Sequence, residues 1–524
     1  MIELSLMTQQ ESLLSKQDTD KLEISNILHQ LEIRDEQIKH LKEEISHLHE
    51  MLLEMKRQIF GKKSERWQSE EQGCLFNEVE VESRKPDLDE SGLETDVQVK
   101  AHTKKRGKRK PLPAHLPREI VKIELPTEEQ FAEDGTPLKV IGYEISEKLD
   151  YEPAKTKVIQ YQRAKYGVES GDYVKTASPV PSIIPKGIAT PGLLSAIAVA
   201  KFADGLPLYR QEEIFARQDI ELSRTTMARW MVKVAESLQP MWNILSDRLI
   251  NSFYVSCDET RTQVLKEKGR MAESQSWMWV RSTPYGDNKI VLFDYSPSRS
   301  GDVALSILED FKGYLQVDGY GGYNKLSKLE GVIRIGCNMH GRRYFEKAYK
   351  VGAKTGKTLA EVALGYYKQL FRIEEDLRKK PPDERYKIRL EKAKPIWDAF
   401  KKWVDENQAK VPAKSKIGSA FTYFNSEYEH LIGYLKDGRL EIDSGFVERC
   451  IRKFAIGRNN WMFSDTEAGA EASAVLYSLL VTAKVNGVNP YRALKYILEE
   501  IPKAQTLEEI EQLADIIVAA RPVP

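Results

Sequence analysis

The chain has 524 residues, 41% of them hydrophobic and 30% charged, which excludes wholesale disorder and leaves room for several domains around at least one sizeable core. Lys and Arg number 79, as do Asp and Glu, so the formal net charge is +0 and overall basicity gives no argument for a nucleic-acid partner. Cys74, Cys257, Cys337 and Cys450 are widely spaced with no Cys-x-x-Cys pair, the pattern of reduced thiols in a cytoplasmic protein. No leader pattern opens the chain and no apolar run approaches the roughly 18 residues of a membrane span, so export and membrane insertion are disfavoured.

In chain order, Ile24, Ile27, Leu31, Ile38, Leu41, Ile45, Leu48, Leu52, Met55 and Ile59 keep a 3,4 spacing interrupted by Arg34. This predicts a coiled coil within residues 1–67 and self-association through it; an amphipathic helix packed on its own chain is the alternative. Residues 68–111 are expected to be a charged linker. Ten acids lie between Glu70 and Asp96, followed by six bases in seven positions, Lys104, Lys105, Arg106, Lys108, Arg109 and Lys110, a basic run suited to DNA phosphates. Short alternating runs over 112–185 suggest a small strand-rich module.

Three helices are predicted over 192–203, 208–218 and 223–238, within a segment 186–250 of helix-turn-helix character. It would carry Arg224, Thr225, Thr226 and Arg229 into a major groove, although core packing explains the same pattern. Strands are then predicted at 253–257, 277–281, 289–294, 314–317 and 332–335, with helices at 302–311 and 341–350. Three strands in quick succession, then a helix, a strand, a helical turn and a strand, is the order of a mixed sheet, and a ribonuclease-H-like core over 251–354 would begin so. Residues 355–437 are helical, highly charged and expected to be an insertion. The core would resume over 438–487, leaving 488–524 as a C-terminal helical element. The fold class is therefore α/β multidomain.

Three acids carry the chemistry. Asp258 and Asp318 end apolar runs that predict buried strands, and Glu448 lies in an amphipathic helical pattern. Phosphodiester cleavage needs an activated water or 3′-hydroxyl and a stabilised leaving oxygen. Two cations roughly 3.5 to 4 Å apart, Mg²⁺ or Mn²⁺, supply both when carboxylates hold them. Asp258 would bridge the pair, with Asp318 and Glu448 on the outer sides. Taken singly, each has a structural explanation: a solvated strand end, an Asp-Gly turn, and a helical partner for Arg452. Glu259 should point to the opposite face from Asp258, and Asp443 fits a helix start better than a ligand. His340 and Arg343 would meet a phosphate near the sheet, or else begin a surface helix. Arg449, Arg452 and Arg458 form a basic surface beside Glu448, where Trp461 would stack a base or belong to the core.

These residues together resemble the transposases of the insertion sequence sixty-six family, of the DDE class on a ribonuclease-H-like fold. The resemblance runs through 58–66, 109–113 and 203–212, Cys257-Asp258-Glu259-Thr260, Asp318-Gly319-Tyr320, and Cys337, His340, Arg342 and Arg343. It continues through 443–449, 457–461 and 477–490. It implies catalysis by Asp258, Asp318 and Glu448, cleavage at element ends with strand transfer into target DNA, double-stranded DNA as partner, and small accessory proteins of the same element. Relatives often carry paired cysteines before the helical segments, whereas 126–178 holds none. No zinc is therefore expected. Asp443-Ser444-Gly445 also replaces the expected Asp-Asn-Asn. The alternatives are a structure-specific nuclease on the same core, which cuts without joining, and a catalytically inactive dimeric DNA-binding regulator.

Overall fold

A computed structural model of the chain describes residues 156–160, 165–167, 174–176, 180–185, 187–352 and 358–519, with Arg34 besides. The expected linker, with its run from Lys104 to Lys110, and the expected coiled coil apart from Arg34 lie outside the described residues. Two compact units divide the chain, residues 63–179 and residues 1–62 with 180–524. In the first, β1 (Lys165–Gly167) and β2 (Val174–Thr176) pair antiparallel with Tyr166 opposite Lys175.

The second unit is mixed α/β with a helical majority. Thr190 caps α1 (Pro191–Phe202) by accepting from the Leu193 N–H, and Pro191 occupies the first turn, where no N–H is needed. α2 (Leu208–Ala216) leads to α3 (Arg224–Ile250), which Ser223 caps through the Thr226 N–H. α3 was expected to stop at Leu238, before Pro240, yet it runs twelve residues further. Pro240 is on the exposed side, and burial of Met241, Ile244, Leu245 and Leu249 beyond it outweighs the roughly 3 kcal/mol that an interior proline costs.

One six-stranded mixed sheet follows. β3 (Tyr254–Lys266), β4 (Gln275–Ser282) and β5 (Val291–Ser296) form an antiparallel meander, and β6 (Gly313–Val317) and β7 (Val332–Gly336) add parallel to the other side of β3, in the order β5-β4-β3-β6-β7. α4 (Gly301–Ile307) and a 3₁₀ turn (Gly321–Lys328) connect these strands, and α5 (Asn338–Gly352) leaves β7. β3 continues well past Asp258, beyond the strand expected over 253–257. Its outer half pairs with β4 and, at Val264 and Lys266, with the short β8 (Ser464–Thr466).

Alternation along β3 divides two cores. Val255 and Cys257 face one shared with α1, α3, and the later helices α10 (Gly445–Trp461), α11 (Glu467–Val485), α12 (Pro490–Glu500) and α13 (Leu507–Val518). Tyr254 and Ile335 join the second, built with α5 by helices of the insertion, α6 (Leu359–Leu377), then past α7 (Pro382–Ile388), α8 (Lys394–Gln408) and α9 (Lys416–Leu431), with Phe345, Tyr367, Trp397, Phe400 and Phe424 of α5, α6, α8 and α9 buried together.

α11 corrects the expectation about apolar runs: it has 19 residues, and an 18-residue stretch of it, with a mean hydropathy of 1.2, is long and apolar enough to cross a membrane. Here it is 67% buried and covers the outer edge of the sheet. At i, i+4 and i+8, Ser478, Thr482 and Asn486 accept the N–H groups of Phe293, Val291 and Lys289, so the edge strand β5 has no free ladder there.

Candidate functional site

The parallel half of the sheet positions the aspartates. Ser256 on β3 is in register with Gln316 on β6, so Asp258 and Asp318 each lie two residues past a paired position, on the same face and at the same end of neighbouring strands. A polar seam leads up to them. Tyr254 Oη and Ser256 Oγ both donate to Gln316 Oε1, at 2.6 and 3.3 Å, and Gln316 Nε2 donates to the Glu441 carbonyl at 2.9 Å.

That last bond, with those of Asn338, solves the problem of bringing Glu448 back after the long insertion. Buried Asn338, at the start of α5, donates through Nδ2 to the carbonyls of Leu431 and Ile442, at 2.9 and 3.0 Å. The Ser444 N–H donates to Cys337 Sγ at 3.3 Å. Buried Arg389 adds hydrogen bonds to the Leu440 carbonyl and to Glu374. The segment 440–444 is thus pinned against the end of β7, and Glu448 enters in the first turn of α10. Asp443 accepts the Gly445 N–H at 2.8 Å, the helix-start role expected of it.

Glu448 meets α5 here. Arg343 Nη2 donates to Glu448 Oε2 at 2.5 Å, and His340 Nδ1 lies 3.7 Å from Oε1. The pairing with Arg452 four residues on, the local explanation for Glu448, is not the one adopted. His340, beside Glu448, also acts electrostatically on Asp258. Desolvation, then the adjacent Glu259 and Asp318 carboxylates, push the Asp258 carboxyl up to about 8, while His340 opposes the rise. Asp318 accepts the Tyr320 N–H at 2.9 Å, and buried Arg334 holds its backbone carbonyl at 2.8 Å while pairing with Glu427 at 2.7 Å. Gly319 fits because the Tyr423 ring crowds that loop: an added Cβ would come within 2.5 Å of it.

Glu259 leaves the other face of β3, as expected. Its side chain is 1% exposed, paired with Arg299 at 2.5 Å and accepting from Tyr323 Oη at 2.5 Å. Arg299 lies 3.9 Å from the Tyr320 ring centre.

The three acids do not close into one ligand shell. Among the described residues, the group of three metal-capable side chains with ligand atoms within 4.8 Å of one another is Cys337, His340 and Glu448. His340 and Arg343, expected to meet a phosphate, are turned onto Glu448. Of the other candidate DNA contacts, Arg224, Thr225 and Arg229 are exposed on the first turns of α3, while Thr226 is partly buried, its hydroxyl 2.9 Å from that of Ser223. Arg449 and Arg452 are exposed, but Arg458 donates to Thr260 Oγ1 at 3.1 Å and to the Arg261 carbonyl. Trp461 corrects the base-stacking expectation: it packs on the first core beside Phe202, with Lys201 Nζ 3.7 Å from its ring centre. Arg334, Arg299 and Asn338 were not singled out from sequence. The one local signal was a charged residue, Arg334, inside the apolar run Val332–Gly336.

Residues 186–472 match the transposase IS66 family, and 478–514 match the IS66 C-terminal element. Residues 47–121 match a further module described as transposase C of IS166 homeodomain. Residues 132–167 match the zinc-finger binding domain of transposase IS66, which overturns the expectation that no zinc is involved. The matched stretch holds neither cysteine nor histidine, so thiol or imidazole donors would have to come from beyond it. Two relatives are from Sinorhizobium fredii strain NGR234. Uncharacterized protein y4qI is 34% identical over 91% of this chain and 89% of its own length, and y4jD is 32% identical over 77% and 80%. Extending over most of the chain, these similarities establish that it belongs to the IS66 family of transposases.

Proposed function

We propose that the chain cleaves DNA strands at the ends of its insertion element, with a divalent cation, and transfers the freed 3′-hydroxyl into target DNA. The observation that carries this reading is the placement of Asp258 and Asp318 at one level on adjacent parallel strands, with Glu448 returned to the same end of the sheet through Asn338, Arg343 and His340. The strand order, three antiparallel strands followed by two parallel ones with a helix-borne acid, supports a ribonuclease-H-like core. A divalent cation bound by these acids would make water or a 3′-hydroxyl nucleophilic and stabilise the leaving oxygen. The chain's part is to hold the carboxylates in place. The sheet fixes Asp258 and Asp318, Arg334 fixes the turn after Asp318, and Arg343 holds Glu448 Oε2 so that Oε1 faces inward. Exposed Arg224, Arg229, Arg449 and Arg452 are suited to backbone phosphates. Self-association through the N-terminal heptads would bring two element ends together in the bacterial cytoplasm.

The test is incubation of the full chain with element-end duplex and target plasmid in Mg²⁺ buffer. Covalently joined donor and target, abolished by EDTA, is the expected result. Cleavage without joining would leave a nuclease, and duplex binding without nicking a regulator.

A further inference from the structure

Cys337, His340 and Glu448 come from three places: the end of β7, the first turn of α5 and the first turn of α10. One ligand atom of each lies within 4.8 Å of the others. The His340 Nδ1 to Glu448 Oε1 distance, 3.7 Å, is close to the roughly 3.4 Å edge of a tetrahedron whose bonds are about 2.1 Å. His340 Nδ1 is buried and makes no hydrogen bond, an unmet polar atom directed at this point. The Cys337 side chain is wholly buried, and its sulfur accepts the Ser444 N–H at 3.3 Å, which fixes its position beside His340 and Glu448. Arg343 occupies Glu448 Oε2, while Oε1 accepts a longer contact from the Ser444 hydroxyl, at 3.4 Å, which a cation on Oε1 would replace or share.

Thiolate, imidazole and carboxylate together select a borderline-soft cation over Mg²⁺. We propose that Cys337, His340 and Glu448 bind one zinc-class divalent cation, with a fourth position open to water or a phosphate oxygen. Coordination through Nδ1 places the imidazole proton on Nε2, so the 3.2 Å contact from Arg343 Nη1 to Nε2 must open. Because Glu448 Oε1 belongs to both sites, occupancy withdraws it from Asp258 and Asp318 and suppresses cleavage; this consequence, unlike the site itself, rests on the proposed function.

Co²⁺ titration of the full chain tests the site without reference to cleavage. A thiolate-to-cobalt charge-transfer band with tetrahedral visible bands is expected in the wild type, unchanged in Cys74→Ser and lost in Cys337→Ser. His340→Gln, which leaves the buried thiol intact, should weaken Co²⁺ binding at least about tenfold. No charge-transfer band in the wild type, or one of equal intensity and affinity in Cys337→Ser and His340→Gln, overturns the site. In the cleavage assay, Zn²⁺ added over Mg²⁺ should inhibit the wild type at a concentration about tenfold lower than Cys337→Ser requires. Equal sensitivity overturns the shared use of Glu448, whereas absence of cleavage in every sample counts against the proposed function and leaves the cobalt result standing.

Discussion

Asp258 and Glu259 are chain neighbours on one strand, both in confined surroundings, and they differ in what faces them. Glu259 is enclosed with a cation and a hydroxyl, Arg299 and Tyr323, which satisfy it at 2.5 Å each. Asp258 faces Asp318 across the strand pair and, among the described residues, accepts a local contact from the Glu259 N–H, with His340 opposing the rise of its carboxyl. One face of β3 closes its electrostatics within the fold, whereas the other holds two carboxylates in mutual repulsion on a rigid support. A buried acid with its own arginine explains stability, and a pair of acids held without one calls for something from outside.

Removing the charge on each face should therefore have opposite consequences. Asp258→Asn is expected to reduce strand cleavage by more than about 100-fold, beyond the usual effect of losing a group that merely orients a ligand, while leaving the melting temperature unchanged or higher. The folded carboxyl is raised to about 8 from 3.8, so between these values the native chain holds a proton that the unfolded chain has released. In the absence of divalent cation, stability contributed by this group is full below about pH 4 and falls as pH rises towards 8, a slope that Asp258→Asn should remove. Thermal melts across that range, with cleavage measured in parallel, check both halves. Glu259→Ala should do the reverse. It strands the Tyr323 hydroxyl and Arg299, and because Arg299 is 37% exposed the loss is about 2 kcal/mol rather than the 3 to 5 of a fully buried pair. Denaturant melts measure that loss, and cleavage per folded molecule should stay within about tenfold of wild type; collapse of cleavage with stability intact would erase the distinction between the faces.

What was legible in the sequence follows the range of the interactions. The apolar runs before Asp258 and Asp318 located both strands because burial acts residue by residue with a period of two. The outer half of β3, from Glu259 to Lys266, was missed because it is a largely polar arm held by pairing with β4 and β8, which leaves little apolar signal. Glu448 was placed on a helix from its amphipathic surroundings, but its real partner, Arg343, is 105 positions away, and no local period reports such a pair. Trp461 could be drawn equally to a base or to the core from composition, and only the approach of Phe202 and Lys201 decides its place. Asn338 and Gln316 were silent for the same reason: each acts by bonding backbone more than a hundred residues later.

The smallest change that still tests the two faces is Tyr323→Phe. Tyr323 is wholly buried, edge-on to Trp279 at 6.0 Å, and its hydroxyl gives Glu259 one of its two strong contacts. Removing that oxygen keeps the ring packing and the Arg299 pair, so the expected loss is about 1.5 kcal/mol in a denaturant melt, the lower end of the net worth of one hydrogen bond to a charged acceptor. Cleavage at saturating cation should not change, because the hydroxyl lies on the Cys257 side of β3, away from the Asp258 side. If Tyr323→Phe instead altered the cation concentration needed for half-maximal cleavage, the Glu259 side would be tuning Asp258 through the strand, and the division into a structural and a chemical face would have to be replaced by a single coupled cluster.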